Sequence, residues 1–224
     1  MTIENGNFIR SAEKGAGYGN GYYVVYNQGT MTIQGGNFQY PDSVMNLFPV
    51  VVNHNGRMTI SGGTFSATDY VIENEENLDE NSGLFITGGT FTCVNGSLIN
   101  WGKATLSGGV FTGNQYGVET NSGQRDVLDP TNNESGHTVI CDNARVEGDI
   151  RSVGSSSKTE IKGGTITKDV VVYPHDTAII AISGGTFSKK FDEKFLAAGY
   201  TQGANNDGTY TALPGITLDK TTLA

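Results

Sequence analysis

MTIQGGNF at residues 31–38 is answered by MTISGGTF at residues 58–65, and the fold is read from that pair. In each phrase the Met and Ile point to one side of an extended strand and the Thr between them to the other. The two glycines that follow turn a corner that a Cβ would hinder. Phe38 and Phe65 then return to the side of the Met and Ile. One phrase is therefore strand, corner, strand, with an aliphatic and an aromatic lining one interior. The phrase recurs as MTIENGNF (1–8), LFITGGTF (84–91), ATLSGGVF (104–111), TEIKGGTI (159–166) and AISGGTF (181–187), with TVICDNARV (138–146) a degenerate copy.

The central aliphatics are Ile3, Ile33, Ile60, Ile86, Leu106, Ile140, Ile161 and Ile182, spaced 30, 27, 26, 20, 34, 21 and 21 residues apart. The base period is near 20, and the longer intervals hold insertions at 9–21, 39–48, 75–83 and 121–136. A third apolar stretch follows most phrases: YYVVYN (22–27), PVVVN (49–53), DYVIEN (69–74), GSLIN (96–100) and DVVVY (169–173). Three short strands per period, none able to bury its face alone, predict an all-β fold, a single-stranded parallel β-helix. The handedness of parallel connections predicts a right-handed coil. About eight coils at ~4.8 Å each make a rod of roughly 38 Å. Helices are excluded by the Thr, Val, Ile and Gly content and the period-2 alternation. A β-sandwich does not repeat one phrase at a 20-residue period.

Equivalent positions stack in such a coil. Phe8, Phe38, Phe65, Phe91, Phe111, Ile166 and Phe187 form the expected inward stack, and Asn27, Asn53, Asn74 and Asn100 an expected amide ladder at the end of the third strand. Trp101 follows Asn100 at a corner, with Gln28, His54 and Glu75 in the same slot. Tyr26 precedes Asn27, and Tyr18, Tyr22 and Tyr40 lie in or beside insertions. Flat aromatics beside amides stack on sugar rings and bond their hydroxyls, so Trp101, Tyr26, His54 and Tyr40 are the candidate ligand-binding residues. The plainer alternative is that these rings only pack over corners and close their own loops.

Composition narrows the functional classes. The 224 residues carry 14 basic and 23 acidic side chains, a net charge of −9, with 32 Gly and 2 Cys. The acidic balance speaks against nucleic acid as a partner. No apolar run is long enough to insert in a membrane as a helix. Cys93 and Cys141 fall on different faces and are not expected to pair. The one dense acidic cluster, Glu73, Glu75, Glu76, Asp79 and Glu80, lacks the Gly-hinged spacing of an EF-hand loop. It reads as a solvated loop, with Ca²⁺ in the Glu73–Glu80 loop the alternative; otherwise neither metal nor cofactor is expected. His54, His137 and His175 offer no metal spacing.

Three segments are expected: the β-helix over 1–187, a C-terminal cap over 188–213, and a linker or first strand of a following domain over 214–224. Phe191, Phe195 and Ala198 fall at helical spacing before Gly199, so 188–199 reads as a short helix; 200–213 reads as a hairpin turning at Asn206-Asp207-Gly208. The first phrase begins mid-coil, so the chain reads as a piece of a longer protein and is expected to be a monomer as such.

Repeats of the ISGGTF type followed by GTFSKKFDEKFLAAGYTQGANNDGTYT (185–211) resemble the β-helix regions of large wall-attached surface proteins of Gram-positive bacteria. ITLDKTTLA (216–224) is similar to the first strand of bacterial Ig-like group-2 domains. The resemblance implies an extracellular, cell-surface location, attachment through parts outside this chain, and an adhesin-like or carbohydrate-associated role toward glycans or host surface proteins. The expected function is a non-catalytic rigid spacer and display module. The alternative is a carbohydrate-active enzyme of the pectin-lyase-like type. Against it, the Asn-Thr-Asp, Asp-Asp and Gly-His-Gly motifs of β-helical hydrolases are absent, and no arginine falls in one slot with aspartates of adjacent coils.

Overall fold

The structure, a computed structural model, describes residues 1–9, 23–40, 49–75, 81–124, 133–173 and 176–215. The chain winds through three sheets in turn, so that each sheet collects one strand from every repeat. The first sheet stacks eight parallel strands: Thr2–Ile3, Thr30–Ile33, Arg57–Ile60, Gly83–Ile86, Lys103–Leu106, His137–Ile140, Lys158–Ile161 and Ile179–Ile182. The second runs from Asn7–Ile9 through Asn37–Gln39, Thr64–Ala67, Thr90–Cys93, Val110–Gly113, Arg145–Val146 and Thr165–Ile166 to Thr186–Phe187. The third holds Val25–Asn27, Val51–Asn53, Tyr70–Asn74, Gly96–Asn100, Tyr116–Gln124, Asp149–Val153 and Val170–Val172. The result is an almost all-β solenoid whose repeats stack in parallel.

The Gly pair explains the corner between the first two sheets. A Cβ on Gly35 would sit 2.7 Å from the Glu4 carbonyl oxygen of the preceding repeat, and Gly36 holds φ at 113°, which side-chain-bearing residues avoid. The corner therefore needs glycine twice, once for space and once for backbone angle.

The interior has an aromatic column and a polar one. Phe8, Phe38, Phe65, Phe91 and Phe111 stack face to face, with successive centroids 4.7, 4.7, 4.8 and 4.9 Å apart. Val146 occupies the next place in the rank, then Ile166 and Phe187. In the third sheet, the amide nitrogen of each buried asparagine donates to the side-chain oxygen of the next: Asn27 to Asn53 at 2.7 Å, Asn53 to Asn74 at 2.8 Å, Asn74 to Asn100 at 2.7 Å. The second amide hydrogen goes to corner carbonyls, those of Gly29, Gly56 and Lys103. Beyond Asn100 the polar column continues in hydroxyls. Asn100 donates to Thr138, and the line passes through Thr120, Thr159 and Ser152 to Ser157. It crosses between the third sheet and the first at each step as far as Ser152, and ends on Ser157, just before the first-sheet strand Lys158–Ile161.

At the C-terminal end, the expected helix over 188–199 is reduced to a single 3-10 turn, Glu193–Phe195, with Asp192 as its N-cap. The reason is burial. Phe191 and Phe195 both insert into the core, Phe191 lying 4.3 Å from the Phe187 ring, and Leu196 bridges to Ile182, which holds the flanking backbone extended. Tyr200–Ala204 and Tyr210–Pro214 form an antiparallel hairpin that adds to the second sheet through Thr186–Phe187. The insertion expected at 121–136 leaves the coil as a strand pair, Ser122 opposite Ser135. Residues 10–22, 41–48, 76–80, 125–132, 174–175 and 216–224, with Tyr18, Tyr22, Glu76, Asp79, Glu80, His175 and the stretch compared with an Ig-like strand, lie outside the described residues.

Candidate functional site

The corner where the third sheet passes to the first carries the rank Gln28, His54, Glu75 and Trp101, each one position past its ladder asparagine. Backbone bonds fix the rank: the N–H groups of His54, Glu75 and Trp101 donate to the carbonyls of Asn27, Asn53 and Asn74 at 2.9, 2.9 and 2.8 Å. The ladder inside thus sets the spacing of the side chains outside.

Two of the expected binding residues meet here. Tyr26 points outward from Val25–Asn27 with 45% of its surface exposed, and its ring lies 5.9 Å from the His54 ring at an interplanar angle of 19°. Tyr23 also stacks with Tyr26, at 5.6 Å and 20°. His54 Nδ1 is held by the Glu75 carboxylate, which is only 4% exposed. A buried carboxylate fixes the imidazole plane, so the Tyr26–His54 face is oriented.

Trp101 lies two places along the same rank from His54, half-buried, with Glu75 between them. Tyr40 does not join them. It is 5% exposed and packs with the core, so it presents no ring face to solvent. Two residues past Phe38 on an alternating strand, its side chain falls on the interior side.

Beside the ring stack is a polar cleft of about 220 Å³ between successive corners. Gln28, Thr30, Asn55, Arg57, Asn81 and Ser82 line it. Gln28 links cleft and stack, its amide reaching the Tyr26 hydroxyl at 3.5 Å. The Arg57 guanidinium carbon sits over the Phe85 ring, 4.2 Å from its centroid, and Arg57 donates to the Asn81 carbonyl oxygen at 3.2 Å. Sequence reasoning grouped Gln28 with His54 but gave no role to Arg57, Asn55, Asn81 or Ser82. Aligning the residue before each Met-Thr-Ile phrase, which puts Arg57 in register with Thr30, was the available signal.

A second feature lies on the outer face of the third sheet, where Tyr26, Val52, Glu73, Ile99, Glu119, Arg151 and Val171 share one rank. Burial pushes the Glu119 carboxyl above its usual range, opposed by a hydrogen bond from Asn121 and the charge of Arg151. Glu73 and Glu119 face the same way with one strand between them. The Cys93 thiol is buried, donates to the Asp69 carbonyl at 2.9 Å and is pushed up to about 11 by desolvation; Cys141 is not bonded to it. Among the described residues, no three His, Cys, Asp or Glu side chains converge as a metal site.

Comparison with known proteins finds no family model, no curated protein and no solved structure that matches the chain.

Proposed function

We propose that this chain is the rigid display module of a secreted bacterial surface protein, and that it contacts glycans at the corner carrying Tyr26 and His54. In this reading it is a right-handed β-helix of about eight coils, ended by residues 188–213 and attached to the cell wall through parts of the protein outside this sequence. Its context is that of the Gram-positive surface proteins whose repeat style it resembles, with an Ig-like domain following. Stiffness comes from the stacked phenylalanines and the amide line, which tie the N-terminal repeats to one another in the interior.

The observation that carries the glycan part is the oriented Tyr26–His54 stack beside a polar cleft, joined to it by Gln28. An aromatic face beside amide and hydroxyl groups is the arrangement that holds a sugar ring, apolar face on the ring and hydroxyls in the cleft. Glycan-array binding of the purified chain tests it. Tyr26→Ala is expected to remove the signal with the circular dichroism spectrum unchanged, and Trp101→Ala to weaken it less. Absence of any retained glycan leaves the spacer role alone.

A catalytic reading has one observation in its favour, the shared outward rank of Glu73 and Glu119 with Glu119 pushed toward its protonated form. Two strand spacings of about 4.8 Å separate their backbones, close to the upper limit of the carboxylate separation of inverting glycosidases. Release of reducing sugar by the native chain, abolished in Glu119→Gln, would establish it; no release from a panel of polysaccharides would leave binding without turnover.

A further inference from the structure

We infer that the cleft beside the Tyr26–His54 stack is a subsite for one sugar unit bearing an anionic group, a carboxylate or a sulfate ester, with Arg57 as the residue that recognises it. This rests on the glycan reading above and adds the chemistry of the sugar.

The size comes first. A cleft of about 220 Å³ is smaller than the roughly 300–1,000 Å³ of sites for drug-sized ligands, so it takes one ring rather than an oligosaccharide. Longer chains run out over the Tyr26–His54 face, which Gln28 joins to the cleft. The neutral lining residues, Gln28, Thr30, Asn55, Asn81 and Ser82, match the hydroxyls of a sugar and have no preference for charge.

Arg57 is different. Guanidinium carries five N–H donors in a planar fork. One is spent on the Asn81 carbonyl, and the guanidinium carbon sits over the Phe85 ring. Among the described residues no carboxylate pairs with it, in a protein whose net charge is −9. The other arginines with described ion pairs, Arg145 and Arg151, are matched by Glu147 and Asp149. A stacked guanidinium at the wall of a sugar-sized cleft is preorganised for a planar or tetrahedral oxyanion. The Phe85 contact and the Asn81 bond reduce the order lost on binding.

Isothermal titration with methyl glucuronide, glucose 6-sulfate and methyl glucoside tests this on the intact chain. At least one anionic probe is expected to bind about tenfold tighter than the neutral glucoside, the gap narrowing as salt rises. Arg57→Gln is expected to erase the gap. Arg57→Lys, which keeps the charge without the fork, is expected to keep part of it. Lys168→Gln, an exposed charge change elsewhere, is expected to leave it intact. Which anionic probe binds identifies the group. Equal binding of all three probes, or a gap that survives in Arg57→Gln, overturns the anionic subsite while leaving glycan binding in place. Binding of none of them, together with an empty glycan array, overturns both. Thermal melts of the variants guard against a loss of fold, and Arg57→Lys keeps the test decisive if Arg57→Gln melts early.

Discussion

The two halves of the column fill the same interior positions in different ways. From Asn27 to Asn100 the polar line stays in one rank of one sheet, and beside it the Phe rank is unbroken from Phe8 to Phe111. From Thr120 to Ser152 the line alternates between two sheets, and the Phe rank is filled by Val146 and Ile166. Side-chain length accounts for the first contrast. An asparagine amide spans the ~4.8 Å between strands and can hand its hydrogen straight to the next repeat. A hydroxyl is too short for that and must find a partner across the corner. The interior tolerates either filling provided every buried polar group is bonded. What the N-terminal half adds is face-to-face aromatic contact, about 0.5–1.5 kcal/mol per pair beyond burial.

The sharpest way to break this contrast is Phe65→Ala. It removes the middle ring of five and is expected to cost about 3–5 kcal/mol, against about 0.5–1.5 for Ile166→Val in the other half. Urea unfolding midpoints of the two variants check it; equal losses would mean that the stacked half is not the stiffer one. Next in size is Asn74→Ala, which takes one of two acceptors from the Asn53 amide, one of two donors from the Asn100 oxygen and the bond to the Lys103 carbonyl, at about 1–3 kcal/mol in all. Thr159→Val should cost less, about 1 kcal/mol, because Thr120 and Ser152 each keep another hydroxyl partner in Thr138 and Ser157. A valine as costly as the alanine would mean that the hydroxyl half is as tightly coupled as the amide half.

The smallest expected effect is one of pH, and it belongs to the C-terminal half. Glu160, on the outer face of the first sheet, is held down to about 2 by hydrogen bonds from Lys158 and Lys162, with His137 3.6 Å away. Because its folded pKa lies below the unfolded value of about 4.3, its contribution is present above that value and is lost as pH falls toward about 2. Glu160→Gln should therefore be less stable than the native chain at neutral pH, by about 1 kcal/mol or less, with the difference closing over that window. Melting temperatures of both chains at pH 7, 4 and 2 check it.

The solenoid was legible because its determinants are local. Alternation in Met-Thr-Ile, the Gly pair and the returning Phe all fall within eight residues, and repetition supplied the rest. The amide rank was legible for the same reason, an asparagine at the end of each third strand. The hydroxyl line was not, because Asn100 finds its acceptor 38 residues on, in a Thr like many others. Val146 was hidden by the degenerate phrase around it. Tyr40 was read as a loop residue, although two positions past Phe38 places it inside. The cleft was illegible because it joins residues about 26 apart whose types, Gln, Asn and Ser, serve equally well in any turn.

The amide line has a direction. Each asparagine gives its hydrogen toward the C-terminal end, and Asn53, Asn74 and Asn100 each take one from the asparagine before, an orientation fixed by the corner carbonyls that claim the second hydrogen. Aligned head to tail, these dipoles reinforce one another as peptide units do along a helix. The rod therefore has an electrical sense built into its axis. A further repeat placed against its N-terminal end extends that sense only by offering a donor to Asn27; one presenting an oxygen there would meet like charge.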